Sequence, residues 1–357
     1  MTGTNPMESD CTSSSGNVSL VKCSLKWGAS LVLVAFLIAR TDFQPLTASI
    51  ADYGFNLFRL SLGFLFCSFS VFLTLVRWKT LLSAFGVSAE TSEVRRIGLF
   101  SYALNLLALG SLGGDFGRAV LISRQYPSRR RDVMLSVGLD RIIGLYAMFV
   151  IAFVFVVTEN LFVSENLNVR CVAWLTTAGT FLMPAGFACL SRMIHVLNPQ
   201  NSATGLRRKI TDLISACQGQ LLTRSAFHAF LISLILRTTT AVGIYFLGTS
   251  LIGNGPGLRV HMLAASVGLL TGCLPLPFNG LGALEAVLEF AFQTLPATPC
   301  PPGYGIAVAL IYRTFLLAVG VLGAVGFNWQ PARAAPQKAR PTPRFDSSVV
   351  LVSHLAE

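Results

Sequence analysis

The chain has 357 residues, of which 53% are hydrophobic and only 12% are charged, with a mean hydropathy of +0.64. This composition excludes a sizeable soluble catalytic domain, because several membrane spans consume the apolar residues. The formal net charge of +11 does not indicate nucleic-acid binding, since the basic residues lie in short loops and no recognition motif accompanies them. The sequence therefore predicts an all-α polytopic membrane protein.

The two ends of the chain are polar. Residues 1–24 are rich in Ser and Thr, and residues 328–357 are rich in Pro, Ala and Arg, so both are predicted to be disordered cytoplasmic tails. A membrane domain over residues 25–327 separates them. It contains six full-length apolar stretches, each a predicted transmembrane helix, at 25–39, 57–76, 137–157, 171–190, 226–252 and 304–327.

The apolar stretch 97–122 is interrupted by glycines between Gly110 and Gly117. Arginines flank it on both sides, at 95–96 and at 129–131, and arginine-rich loops prefer the cytoplasm. Both flanks therefore belong on one side, which predicts a re-entrant hairpin. The alternative is complete spans whose glycines allow close helix packing.

A different pattern occupies residues 206–222. Apolar residues recur there at helical spacing, and Arg207, Arg208 and Lys209 stand near its start. This pattern predicts an amphipathic helix that lies in the cytoplasmic interface of the membrane.

A second interrupted stretch, 260–295, is broken between Gly272 and Gly282. Its flanks, 253–257 and 296–303, contain no Lys or Arg, so both are assigned to the outer side, as for a second re-entrant hairpin. Three spans and one hairpin then fall in each half of the chain, with opposite orientations and both termini in the cytoplasm. The halves, about 25–157 and 171–327, form a predicted inverted repeat. If the interrupted stretches cross instead, the chain has eight or more full spans.

Charged residues inside apolar stretches are the candidate substrate-binding residues, because a charge at bilayer depth costs about 2.5–3.5 kcal/mol even on insertion scales. Asp115 and Arg118 share a helical face. Arg118 either binds a lipid phosphate, with Asp115 holding it or taking a cationic headgroup, or forms only an internal ion pair. One candidate arrangement pairs Asp140 with Arg118, and Arg141 with Asp115 or a phosphate. Alternatively, Asp140 and Arg141 lie near the cytoplasmic end of their span.

The second half offers two glutamates and two arginines. Glu285 and Glu289 are four residues apart, so they share a helical face and could couple protons or hold a positive headgroup. The alternative is a structural pairing with Arg313. Arg237 and Arg313 lie within apolar stretches, and they either bind a lipid phosphate or neutralise the glutamates.

Two short turns are predicted to form the hairpin tips. The residues assigned to them are Gly113, Gly114, Asn279, Gly280 and Gly282.

Four motifs give the chain a family resemblance. They are Arg77-Trp78 at the end of the second span, GGDFGR at 113–118, SVGLDRIIGL at 136–145, and NGLGALE at 279–285. In this order they resemble the lysylphosphatidylglycerol synthase transmembrane-region family, over roughly residues 25–327. We interpret Arg77 itself as an interfacial anchor, with Trp78 in the aromatic belt.

The resemblance implies a flippase-like protein of the bacterial cytoplasmic membrane that moves or handles a polar lipid. That family forms the membrane half of multiple peptide resistance factors and also occurs as stand-alone proteins. Only about thirty residues follow the last span, so we expect the aminoacyl transferase domain of two-part members to be missing and expect no synthase activity.

The sequence leads to two functional hypotheses, neither of which is an enzyme. The first is a flippase or transporter whose partners are membrane lipids with anionic phosphate headgroups. The second is a non-transporting accessory subunit of a lipid-modifying or glycosyl-transferring system, with a lipid-modifying enzyme as partner. A membrane enzyme is a weaker possibility, because no residue pattern specifies a reaction. No cofactor or metal is expected.

Overall fold

A computed structural model describes the chain except residues 1–35, 37, 108–110, 198–215, 218, 222, 254, 274–280, 297 and 329–357. The described part is built from helices, as predicted. These are α1 Gln44–Tyr53, α2 Leu57–Ala84, α3 Thr91–Leu107, α4 Ser111–Gln125, α5 Arg130–Thr158, α6 Leu167–Leu197, α7 Arg224–Leu251, α8 Leu258–Leu270, α9 Ala283–Thr294 and α10 Tyr304–Asn328.

Five helices, α2, α5, α6, α7 and α10, are long and apolar enough to cross a bilayer. They confirm five of the six predicted spans and the polytopic membrane class. Large apolar side chains such as Phe72, Leu182 and Leu322 remain exposed on their outer faces, as suits contact with lipid tails.

Several predicted segments lie outside the described residues. They include both tails and nearly all of the first predicted span, 25–39. Of the predicted amphipathic helix, only residues 216–217 and 219–221 are described, and they are helical. Ala216, Cys217 and Leu221 pack against a buried cluster from α2, α5 and α7.

Each interrupted apolar stretch forms a pair of short helices. The first pair is α3 and α4, with 17 and 15 residues, and the second is α8 and α9, with 13 and 12 residues. None of the four reaches the roughly 20 residues that cross a bilayer core. The two helices of each pair pack against each other. The described part of either stretch therefore contains no full-length span, as the hairpin prediction requires.

The prediction that Gly113 and Gly114 form the tip of the first hairpin is wrong. Gly113 and Gly114 lie within the first turns of α4, Ser111–Gln125. A side chain at position 114 would collide with the Ser101 carbonyl and the Asn105 side chain of α3. The Gly114 amide also donates to Asn105 Oδ1 at 2.9 Å. This glycine thus permits close helix packing rather than a chain reversal.

The tip of the second hairpin is described only in part. Gly282 precedes α9 with a φ of 88°, a left-handed value that favours glycine. Asn279 and Gly280 lie outside the described residues.

The hairpins pack across the two halves of the molecule. The α3–α4 hairpin contacts α10 of the second half, and α8 contacts α5 of the first half. The central contact joins α2 and α7, where the Phe66 and Phe246 rings stack with centroids 5.5 Å apart. Charged residues on α2, α4, α5, α7 and α10 are thereby directed toward one interior region.

The hairpin arrangement predicts which cysteines share a side of the membrane. In a cysteine-free background, S88C and S128C flank the first hairpin, and L258C and T298C flank the second, at exposed positions. We expect an impermeant maleimide to label the first two from one side and the last two from the other.

The control is T158C, at the opposite end of α5 from Ser128. It should be labelled from the side opposite to S128C. Labelling of the two flanks of either hairpin from opposite sides would show that the stretch between them crosses the membrane.

Candidate functional site

An interior cavity of about 210 Å³ collects most of the predicted site residues. Its walls come from α2, α3, α4, α5, α7, α9 and α10, together with the end of α8 and the turn Thr271–Cys273. The charged residues on its walls are Arg77, Asp115, Arg118, Asp140, Arg141, Arg237 and Arg313.

Asp140 is the central acceptor of this cavity. It is 2% exposed, and Arg77 approaches it bidentately, with Nε 2.7 Å from Oδ1 and Nη2 3.0 Å from Oδ2. Arg118 Nη2 donates to Oδ2 as well, at 2.8 Å. Three charge-assisted hydrogen bonds therefore hold one buried carboxylate, an arrangement that fixes α2, α4 and α5 relative to one another.

Arg77 and Trp78 are not interfacial anchors. They are 4% and 0% exposed, because α2 continues to Ala84, beyond the predicted span end at residue 76. Arg77 also donates to Ser233 Oγ of α7 at 3.0 Å. The Arg118 guanidinium carbon lies 5.0 Å from the centre of the Trp78 ring, a cation–π contact. Both residues thus belong to the site.

Asp115 extends the network to a second arginine on α5. Its Oδ1 accepts from Arg118 Nη2 at 2.9 Å, and its Oδ2 is in contact with Arg141 Nε. Both predicted pairings, of Asp140 with Arg118 and of Arg141 with Asp115, are therefore present. The positions along the network alternate in charge, from Arg77 through Asp140, Arg118 and Asp115 to Arg141.

The second half contributes a separate ion pair. Glu285 of α9 is 0% exposed and pairs with Arg313 of α10, and it also accepts from the Gly282 amide at 2.7 Å. The predicted structural alternative for Glu285 is thus the observed one. In each half, an acid on the second hairpin helix pairs with an arginine on the following span.

Glu289 has a different role from the one its spacing indicates. It is not among the residues that line the cavity. Its carboxylate accepts from the amides of Gly303, Gly305 and Ile306 at 2.6, 2.9 and 3.2 Å. These amides lie at the start of α10, where backbone N–H groups have no partner within the helix. Glu289 therefore caps α10, and no headgroup or proton-coupling role is needed to explain it.

Arg237 of α7 lines the cavity beside Arg77. No carboxylate pairs with it among the described residues, and its Nε is buried there without a hydrogen-bond acceptor. A side chain at Gly144 would lie 2.9 Å from Arg77 Nη1 and 3.4 Å from Arg237 Nη2. Gly144 therefore makes room for two guanidinium groups on the same wall.

Removal of the central acceptor should destabilise the protein strongly. D140N leaves Arg77 and Arg118 buried without their shared carboxylate, and breaking a buried pair in this way costs about 3–5 kcal/mol. The control is D132N on the same helix, whose pair with Arg129 is partly exposed, at 36% for Arg129 and 29% for Asp132. It should lower the unfolding free energy by about 1 kcal/mol or less. Denaturant titration in detergent measures both, and equal effects would contradict a central role for Asp140.

Glu289 should matter for stability but not for the cavity. E289Q removes the charge that accepts the α10 amides, so we expect a loss of about 1.5–3 kcal/mol in unfolding free energy. Lipid binding per folded molecule should stay at the wild-type level. E285Q, which alters the cavity pair with Arg313, should change both stability and lipid binding. A selective loss of lipid binding in E289Q would return Glu289 to the functional site.

Comparison with known proteins bears out the family resemblance. The family model described as "Lysylphosphatidylglycerol synthase TM region" matches residues 23–324. The match covers all of the charged residues that line the cavity. No curated protein matches the chain.

Proposed function

Because the chain belongs to the lysylphosphatidylglycerol synthase transmembrane-region family, we propose that it moves a polar phospholipid across the bacterial cytoplasmic membrane. The family links the chain to lipid handling in a membrane. Within lipid handling, the specific role proposed here is that of a flippase or transporter. The headgroup is held in the arginine-lined cavity, and the acyl chains stay in the bilayer.

One observation carries this proposal: five arginines line a single cavity inside a helical membrane domain. Charged residues at membrane depth are rare, and they often mark substrate paths. Arginine matches the oxygens of a phosphate with paired donors. The cavity therefore suits a phosphate group better than any neutral or apolar solute.

The size and the walls of the cavity fit a headgroup rather than a whole lipid. Its volume of about 210 Å³ lies below the roughly 300–1,000 Å³ of pockets that enclose a drug-sized ligand. Apolar side chains, including Leu75, Leu145 and Leu316, share the walls with the arginines. They can contact the glycerol end of a lipid while the arginines bind its phosphate.

The packing supports an inverted repeat, the architecture in which many transporters hold substrate between their halves. The proposed equivalents are α2 with α7, the hairpin α3–α4 with α8–α9, and α5 with α10. Each hairpin then contacts the last span of the other half, and α2 contacts its own equivalent. The pairs Asp115–Arg141 and Glu285–Arg313 are also equivalent under this relation.

The proposal also assigns a membrane orientation. Arg129, Arg130 and Arg131 lie at the start of α5, and Glu159 and Glu165 follow its end. Since basic loops prefer the cytoplasm, α5 runs outward, and the same rule puts both termini in the cytoplasm.

Reconstitution tests transport directly. Proteoliposomes containing a panel of tail-labelled phospholipids should show transbilayer movement of at least one headgroup class with wild-type protein. D115N and R118A should lower the initial rate by about tenfold or more, since each removes charge-assisted bonds worth about 1.5–3 kcal/mol.

The control for these variants is R259Q, which removes an exposed arginine outside the cavity. It should move lipid at the wild-type rate. Size-exclusion profiles identify any variant that fails to fold. Wild-type rates in folded D115N and R118A would contradict a role for the cavity in transport, and an inactive wild-type protein would favour the accessory subunit.

A further inference from the structure

The charge balance of the cavity restricts which chemical classes of lipid headgroup it can bind. We propose that the ligand is a phosphomonoester, a terminal phosphate that carries two negative charges near neutral pH. This inference rests on the proposed function of the same cavity and adds the chemical class of the group that it binds.

The cavity holds more positive than negative charge. Five arginines line it, and three carboxylates pair with them: Asp115, Asp140 and Glu285. This leaves an excess of two positive charges among the described residues.

Each half of the molecule contributes one excess arginine. By count, the first half contributes Arg77, Arg118 and Arg141 with two aspartates, and the second half contributes Arg237 and Arg313 with one glutamate, Glu285. A ligand between the halves can therefore meet one uncompensated charge from each side.

Free donors are present beside this excess charge. The Nε atoms of Arg118 and Arg237 are both buried without a hydrogen-bond acceptor among the described residues. Buried donors in native proteins are nearly always satisfied by protein, water or ligand. Both side chains line the cavity, so a ligand there that supplies acceptor oxygens can complete their hydrogen bonding.

A cationic headgroup is a poor match for the same walls. Asp115 and Asp140 each contact two arginines, and Glu285 contacts Arg313 and the Gly282 amide. Among the described residues, an ammonium group in the cavity would find no carboxylate that is not already paired, and the excess positive charge would repel it.

Among anionic headgroups, charge and oxygen count separate two classes. A phosphodiester carries one negative charge and would leave one arginine charge uncompensated. A phosphomonoester carries about 1.5–2 negative charges at pH 7 and offers three strong acceptor oxygens. It matches both the excess of two charges and the free donors.

Binding of short-chain lipids to the purified full chain tests this class. Dioctanoyl phosphatidate and dioctanoyl phosphatidylglycerol have the same tails and differ in the phosphate ester. In a neutral detergent at pH 8, we expect titration calorimetry to give a dissociation constant about tenfold lower for phosphatidate, a difference of about 1.4 kcal/mol.

The pH dependence separates ligand charge from other effects. At pH 5 the phosphomonoester, with a second pKa near 6, carries one charge, whereas arginines keep theirs. The preference should then shrink to about threefold or less. A preference that persists unchanged at pH 5 would contradict recognition of the second charge.

Variants of Arg237 test whether this arginine is responsible for the preference for phosphatidate. R237Q should weaken binding of phosphatidate more than binding of phosphatidylglycerol, so most of the preference at pH 8 is lost, and R237K, which retains the charge, should keep the preference. R259Q makes the same charge change outside the cavity and should behave as wild type. An unaltered preference in R237Q would contradict the assignment.

The outcomes distinguish this inference from the proposed function. Equal affinity for the two lipids, with lipid transport intact, would overturn the phosphomonoester assignment alone. Absence of binding and of transport for every phospholipid would overturn both. Inorganic phosphate serves as a further probe: competition at concentrations close to those of phosphatidate would support a dianionic phosphate ligand but overturn a lipid as its source.

Discussion

The pairing of Asp140 with Arg77 and Arg118 is the interaction on which the rest of the site depends. Two guanidinium groups can remain inside a membrane domain because one buried carboxylate accepts from both. The three side chains come from α2, α4 and α5, so the bond network also docks the first hairpin. The same ion pairs therefore determine both the shape and the charge of the cavity. A change that disturbs the pairing moves a wall of the cavity as well as its charge.

Local sequence properties, namely the length, hydropathy and helical spacing of each segment, predicted the membrane spans and one of the ion pairs. Length and hydropathy identified the five described spans, and helical spacing brought Asp115 and Arg118 together on α4. The cost of unpaired charge in a membrane then restricted the possible partners, which is why the pairs of Arg141 with Asp115 and of Arg313 with Glu285 could be anticipated.

Tertiary contacts account for what the sequence could not predict. The apolar run of the second span ends before Arg77, but α2 continues to Ala84 because its last turns pack against α5 and α7. Glu289 shares a helical face with Glu285, yet the chain returns after α9 and presents the first amides of α10 to it. Gly114 is a typical turn residue, but here it lies where α3 and α4 meet. In each case a contact with another helix decided the role.

The central claim is that an excess of arginine charge between the two halves binds the phosphate of a lipid. An experimental structure of the full chain in a nanodisc that contains phosphatidate tests it most directly. We expect headgroup density within hydrogen-bond distance of Arg237 and Arg118, with the acyl chains leaving toward the bilayer. Headgroup density elsewhere on the protein, with water alone between these arginines, would contradict the claim.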